Sequence, residues 1–241
     1  MNRETQLQYL LEQLRTRLLV MCVTVEEAVE HACAALCQDN VARAEAVIEH
    51  DSKVDELENE IDEMALSLMA RTQPVARDLR FVVSAVRMVI DLERIGDEAA
   101  SIAERAVLMQ ASPRFPEFAQ LEAIMRVAQK ALYEAIAAFR DGNAKRALYI
   151  CRGEDDITQM EIHLIQNLMD RLTKEASAPG SGGWCIMHVI LIARALNRIY
   201  RRASNIAEHA YFMVEGVSIK HRKVDARARY VAHRQCEQQQ S

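Results

Sequence analysis

The amino-acid sequence predicts an all-α fold, a tandem repeat of two similar three-helix bundles with six long helices. Three observations predict it. The composition favours helix: half the residues are hydrophobic, glycine and proline number only seven and four, and aromatics make up 5%, which leaves little turn or strand chemistry. Apolar residues recur at helical spacing almost throughout. The second half also repeats the first. Asn40, Arg43 and Ala44 align with Asn143, Arg146 and Ala147 at an offset of 103 residues. Further on, Leu92, Arg94, Ile95, Ala99, Ile102 and Glu104 align with Leu196, Arg198, Ile199, Ala203, Ile206 and Glu208 at an offset of 104. Two long stretches at nearly one offset mark a duplicated unit.

The breaks between periodic segments set the elements. Asp39-Asn40 closes a first helix over 5–38, and Thr72-Gln73-Pro74 closes a second over 41–71. Pro74 suits the first turn of the third, 75–110, because a missing N–H costs nothing there. Ala111 to Pro116 ends the third helix and divides the halves. The fourth helix, 117–140, stops at Asp141-Gly142-Asn143; the fifth, 144–175, runs to the Ser177–Gly183 loop; the sixth is 184–216. The domains expected are 1–113 and 114–217, followed by a basic tail, 218–241. Helices this long in a soluble chain belong to bundles.

Several function classes drop out. A formal charge of −5 is too mild to suggest a nucleic-acid partner. The six cysteines form no CxxC pair and read as buried, reduced thiols of a cytoplasmic protein. Met1 to Gln13 is charged throughout and lacks the apolar stretch of a signal peptide. The longest apolar run, Trp184 to Ala193, is too short to cross a bilayer, so no direct membrane insertion is expected. GxxxxGK[ST], GxGxxG, HExxH and GxSxG are all missing. No histidine follows a glutamate by three positions, against a ferritin-type oxidase. His188, in the apolar run, reads as a satisfied core residue.

The carboxylates carry more information. Asp51 and Asp55 are four apart on the second helix; Glu93 and Asp97 are four apart on the third, with Asp91 nearby. Such spacing puts each pair on one helix face, where four hard oxygens would suit a hard cation. The plainer reading is a solvated acidic face. Arg94 is close but falls on another face. Gly96, mid-helix, costs about 1 kcal/mol relative to Ala and marks a close approach by a backbone or a ligand.

At these residues the sequence resembles the PhoU family of phosphate-uptake regulators. The resemblance is carried by Arg71-Thr-Gln-Pro74-Val-Ala-Arg-Asp78-Leu-Arg80 and by Leu92-Glu93-Arg94-Ile95-Gly96-Asp97, and covers roughly residues 10–217. It implies two three-helix bundles and a cytoplasmic adaptor without catalytic residues, which restrains phosphate uptake and phosphate-regulon signalling when phosphate is plentiful. The implied partners are the ATPase of the phosphate ABC transporter and a membrane sensor kinase, which would bring the chain to the inner membrane as a peripheral component; homodimers are implied as well. The family's acidic patterns carry over to Asp51, Asp55, Glu93 and Asp97 as ligands for a divalent or ferric ion (Mg, Mn, Fe or Zn). The second half departs from the pattern: Glu154 survives opposite Asp51, but Thr158, Asn197, Tyr200 and Arg201 stand opposite Asp55, Glu93, Gly96 and Asp97. Arg201 repels a cation and is expected to pair with Glu154 or Asp155. One metal site at most is therefore expected. Two other readings stay open: a carboxylate-bridged metal enzyme or store, and a divergent paralogue regulating another transporter.

Overall fold

Asn40 and Asn143 show the duplication at its most local. Each ends a connection in extended conformation, with φ −97° and ψ 90° at Asn40 and φ −100° and ψ 92° at Asn143. Each side chain accepts a hydrogen bond from the backbone N–H three residues on, Arg43 and Arg146, at 3.0 Å. The same N-cap thus starts the same helix twice, satisfying one of the free N–H groups of a first turn.

A computed structural model describes residues 3–112, 114–175 and 182–219. Its elements are α1 (Arg3–Gln38), α2 (Val41–Thr72), α3 (Ala76–Leu108), α4 (Phe118–Arg140), α5 (Ala144–Ile150), α6 (Glu154–Glu175) and α7 (Gly182–Glu215). In the first half α1, α2 and α3 pack on one another; in the second, α4 packs with α5, α6 and α7. The two halves join chiefly where α3 lies against α7. Repeat-equivalent residues share the core: Leu92 and Leu196, Ile95 and Ile199, Ile102 and Ile206 are all fully buried. Alanines at 99 and 103, and at 203 and 207, are buried too, and their small side chains let helices approach closely.

Two boundaries differ from the sequence reading. Pro74 stands outside α3: Gln73 caps α2 in the left-handed region (φ 49°), and Val75, extended at φ −127°, precedes the first helical residue. The residue before a proline is pushed away from the helical region, so the turn is one residue longer than expected. The expected fifth helix is two helices, interrupted at Cys151–Gly153. The Ser177–Gly183 loop and the basic tail lie almost wholly outside the described residues.

The interruption has a cause in the duplication. Gly96 in α3 faces α2 closely, and a Cβ there would sit 3.3 Å from a methyl of Val54. The close approach by the protein is therefore to a side chain of α2 rather than to its backbone. Opposite Gly96 in the second half is Tyr200, whose ring is buried. A ring cannot fit where two helices touch, and α5 ends instead. The Tyr200 hydroxyl donates to the Ile150 carbonyl at 2.9 Å, taking up one of the carbonyls freed at the helix end. It also occupies the space a Cβ would need at residue 153, which is glycine where the first half has His50.

Gly153→Ala should therefore destabilise the fold by about 1–3 kcal/mol through overpacking, and Tyr200→Phe by about 1 kcal/mol through the lost hydrogen bond. In a urea-denaturation double-mutant cycle the pair should cost less than the sum of the two, because the phenyl ring no longer carries the clashing oxygen. Strict additivity would show that the two residues do not share this space.

Candidate functional site

The predicted carboxylates come from two neighbouring helices: Asp51 and Asp55 from α2, Glu93 and Asp97 from α3. They sense one another. The Asp51 carboxyl is raised above its ordinary range by partial burial, then by Asp97, Asp55 and Glu104. Glu93 is raised by partial burial, then by Asp97, with Arg94 acting in the opposite sense. Glu58, one turn beyond Asp55, is raised by partial burial and by Asp62 and Asp55. The face is thus a strip of mutually repelling carboxylates rather than isolated surface acids.

Arg94 was expected on another face, but its long side chain turns back. Its Nε lies 3.2 Å from Glu93 and one Nη 3.5 Å from Asp97, so one guanidinium bridges the two acids. Among the described residues no three His, Cys, Asp or Glu side chains are gathered as a metal ion would require. The donors are chemically right for a hard cation, but as they stand they do not fit one, and Arg94 holds two of the four.

The second half has converted two of the positions, 158 and 197, to contacts of its own. Asn197 donates to Glu161, the repeat-equivalent of Glu58, so a repelling acid pair becomes a hydrogen bond. Thr158 donates to the backbone carbonyl of Glu154 at 2.8 Å. The Glu154 carboxylate accepts from Ser204; the expected pairing of Arg201 with Glu154 or Asp155 is not formed. Arg201 lines a pocket at the seam of the halves with Arg94, Arg198 and Arg202. His188 is buried against Trp184, but its Nδ1 has no hydrogen-bond partner among the described residues, so the expectation of a satisfied residue holds for burial only. Cys22, Cys33, Cys151 and Cys185 are buried thiols, the Cys151 Sγ donating to the Ser204 carbonyl at 3.8 Å; Cys37 is half-buried, and Cys236 lies outside the described residues.

The seam holds the residues that the sequence reading missed. Asp91, noted only as a neighbour of Glu93, faces away from the acidic strip and is 5% exposed. Its Oδ1 accepts from Arg202 and from Asn205, each at 3.0 Å, and its Oδ2 lies 3.4 Å from His209 Nε2. Burial works against its charge, but the hydrogen bonds from His209, Asn205 and Arg202 outweigh it and hold the carboxyl below its ordinary range. On the same seam Arg198 grips Glu98 with two bonds, the longer 2.6 Å. A signal for Asp91 existed: it stands three residues after Met88 and four before Ile95, on the stripe that faces the core. Arg202, Asn205 and His209 are spaced for one face of α7.

Comparison with known proteins places the chain. The model of the PhoU domain matches residues 18–106 and again 121–210. A phosphate-specific transport system accessory protein PhoU homolog of Pseudomonas aeruginosa is 32% identical over 212 residues, covering 88% of this chain and 86% of that protein. The phosphate-specific transport system accessory protein PhoU of Serratia marcescens is 30% identical over 216 residues, covering 90% of this chain and 87% of its own length. The crystal structure of PhoU from Pseudomonas aeruginosa superposes with a TM-score of 0.82 at 32% identity, covering 87% of this chain and 99% of that one.

Replacing Asp91 by Ala should cost about 3 kcal/mol, since it leaves Arg202 without its counter-charge and Asn205 and His209 without their acceptor. The folded carboxyl lies below its ordinary range, so this stabilisation is present above about pH 4 and fades as the pH falls. Denaturation midpoints of wild type and Asp91→Ala should converge in acid. Asp51→Asn has the opposite sign. The raised carboxyl favours the protonated native state, so wild-type stability declines as the pH rises past about 4. The amide should therefore gain a few tenths of a kcal/mol at about pH 7 and nothing at about pH 3. Equal midpoints at both pH values would remove the repulsion argument.

Proposed function

We propose that this chain, which belongs to the PhoU family, restrains phosphate uptake and phosphate-regulon signalling when phosphate is plentiful, acting by protein contact rather than turnover. The observation that carries this is similarity over 88% of the chain to an accessory protein of a phosphate-specific transport system. In this reading the partners are the transporter's ATPase and a membrane sensor kinase, and the protein is a cytoplasmic homodimer that reaches the inner membrane only through them. No helix among the described residues is long and apolar enough to cross a membrane, which is in keeping with a peripheral role. Long helices joined by a charged seam give the stiffness a docking protein needs, and the acidic strip of α2 and α3 gives it a charged surface to present.

The same reading gives the first half a hard cation at Asp51, Asp55, Glu93 and Asp97. For this, Arg94 must leave Glu93 and Asp97 and the four carboxylates must close in. The second half has no part in it, because Thr158, Asn197 and Arg201 are tied into or turned toward other contacts.

Deleting the gene should leave phosphate-starvation genes expressed in phosphate-rich medium, and a plasmid copy should silence them again. Expression that stays low in the deletion strain would overturn the regulatory reading. For the cation, purified protein loaded with Mn or Fe(III) and desalted should retain metal by elemental analysis, and Asp51→Asn with Asp97→Asn should not. Equal metal in both would remove the site.

A further inference from the structure

A second concave surface lies on the molecule, about 24 Å along α3 from the acidic strip, as the sixteen residues from Phe81 to Asp97 imply. It is a cleft of about 610 Å³ built by both halves: Arg15 comes from α1, Arg77, Asp78 and Arg80 from the start of α3, and Phe139 and Arg140 from the end of α4. Met213 and Val214, near the end of α7, complete the wall.

The floor is aromatic. Phe81 and Phe139 stack with ring centroids 6.3 Å apart and an interplanar angle of 16°. The Arg15 guanidinium lies over both rings, 4.9 Å from one centroid and 5.8 Å from the other. Cation–π contact fixes the plane of the guanidinium yet leaves its N–H fork unused. Arg80 is held differently. Its Nε is buried without a hydrogen-bond partner, and its guanidinium packs beneath Gly216, where a Cβ would come within 3.5 Å of it. Gly216 has φ 71°, so the backbone passes over Arg80 in a conformation that side-chain-bearing residues rarely adopt. A buried donor of a charged group left unmade is costly, and it is the kind of group an incoming anion satisfies. Arg140 is already taken by Asp141 at 2.9 Å. Arg15, Arg77 and Arg80 form no ion pair among the described residues.

The cleft is not uniformly basic, since Glu12 and Asp78 also line it. Carboxylates only accept hydrogen bonds at neutral pH. A site with both arginine forks and carboxylate acceptors therefore favours an oxyanion that still carries a proton. Phosphate and its monoesters, whose second pKa of about 6 lies close enough to neutrality for the proton to be kept or taken up in the site, can do so; sulfate cannot.

We infer that this cleft binds a protonated phosphate group, with Arg15, Arg77 and Arg80 donating to its oxygens and Glu12 or Asp78 accepting from its hydroxyl. The inference rests on the cleft alone. Its probe is the purified chain without partners, so its failure would leave the adaptor reading standing.

Isothermal titration of the full chain with inorganic phosphate, glycerol phosphate and sulfate, at matched ionic strength, tests it. Phosphate or its ester should bind at least about tenfold more tightly than sulfate, a difference of about 1.4 kcal/mol. Whichever of the two binds more tightly identifies the source as free phosphate or an ester. Arg80→Gln should weaken that binding at least about tenfold, and so should Arg77→Gln, whose exposed side chain leaves folding unaffected. Arg198→Gln, at the other arginine cluster, should not. Binding of neither phosphate compound up to about 10 mM, equal affinity for sulfate, or unchanged affinity in both Arg80→Gln and Arg77→Gln would each overturn the inference.

Discussion

The structure depends on α3 lying against α7 with a carboxylate buried between them. Each half is a three-helix unit whose third helix must cover an apolar stripe, and the two stripes cover each other. Apolar contact alone is non-directional and would tolerate a slipped register. Asp91, gripped by Arg202, Asn205 and His209, removes that freedom: a shift of one turn leaves a buried charge without partners, at a cost of several kcal/mol. Buried polar contacts of this kind add little net stability but select one arrangement among many. The Glu98–Arg198 pair, one turn or two along the same helices, adds a more exposed second peg.

Around that seam the two halves have drifted apart in chemistry while keeping one scaffold. The first half holds a strip of carboxylates that repel one another, relieved in part by Arg94. The second keeps one of them, Glu154, which accepts from Ser204, and replaces two by hydrogen bonds closed within the half, Asn197 to Glu161 and Thr158 to the Glu154 carbonyl, while Arg201 stands in place of the fourth. One half therefore gathers like charges on a face, and at the matching positions the other has an amide, a hydroxyl and an arginine beside its one remaining acid.

Much of the fold was legible because helices report themselves locally. The breaks at Asn40 and Asn143 and the stripe of Leu92, Ile95 and Ile102 each follow from a few neighbouring residues; the break at Gln73 does too, but not its left-handed turn or the exclusion of Pro74 from α3. The repeat offset added the pairing of halves. The break at Cys151–Gly153 was not legible, because its cause is Tyr200, some fifty residues away. Charged groups were harder still. Spacing put Asp51 with Asp55 and Glu93 with Asp97, yet the reach of Arg94 depends on side-chain rotamers, and the Glu154 carboxylate found Ser204 rather than Arg201. Asp91 was masked by its acidic neighbours, although its position on the core stripe was there to be read. The arginine cleft gathers α1, α3, α4 and α7, and no short motif records that meeting.

Tyr200 and Gly153 also say something about history. A tyrosine entering the second half while residue 153 still bore a side chain would have struck it, and a glycine arriving first would have weakened a continuous helix for no gain. Once both were in place, each became the condition for the other. Restoring glycine at 200 now leaves a void where a ring was packed, and restoring a side chain at 153 meets that ring. The substitution is entrenched: the second half has lost the easy evolutionary route back to the geometry of the first. Divergence of its surface then proceeded from a backbone already committed to its own shape.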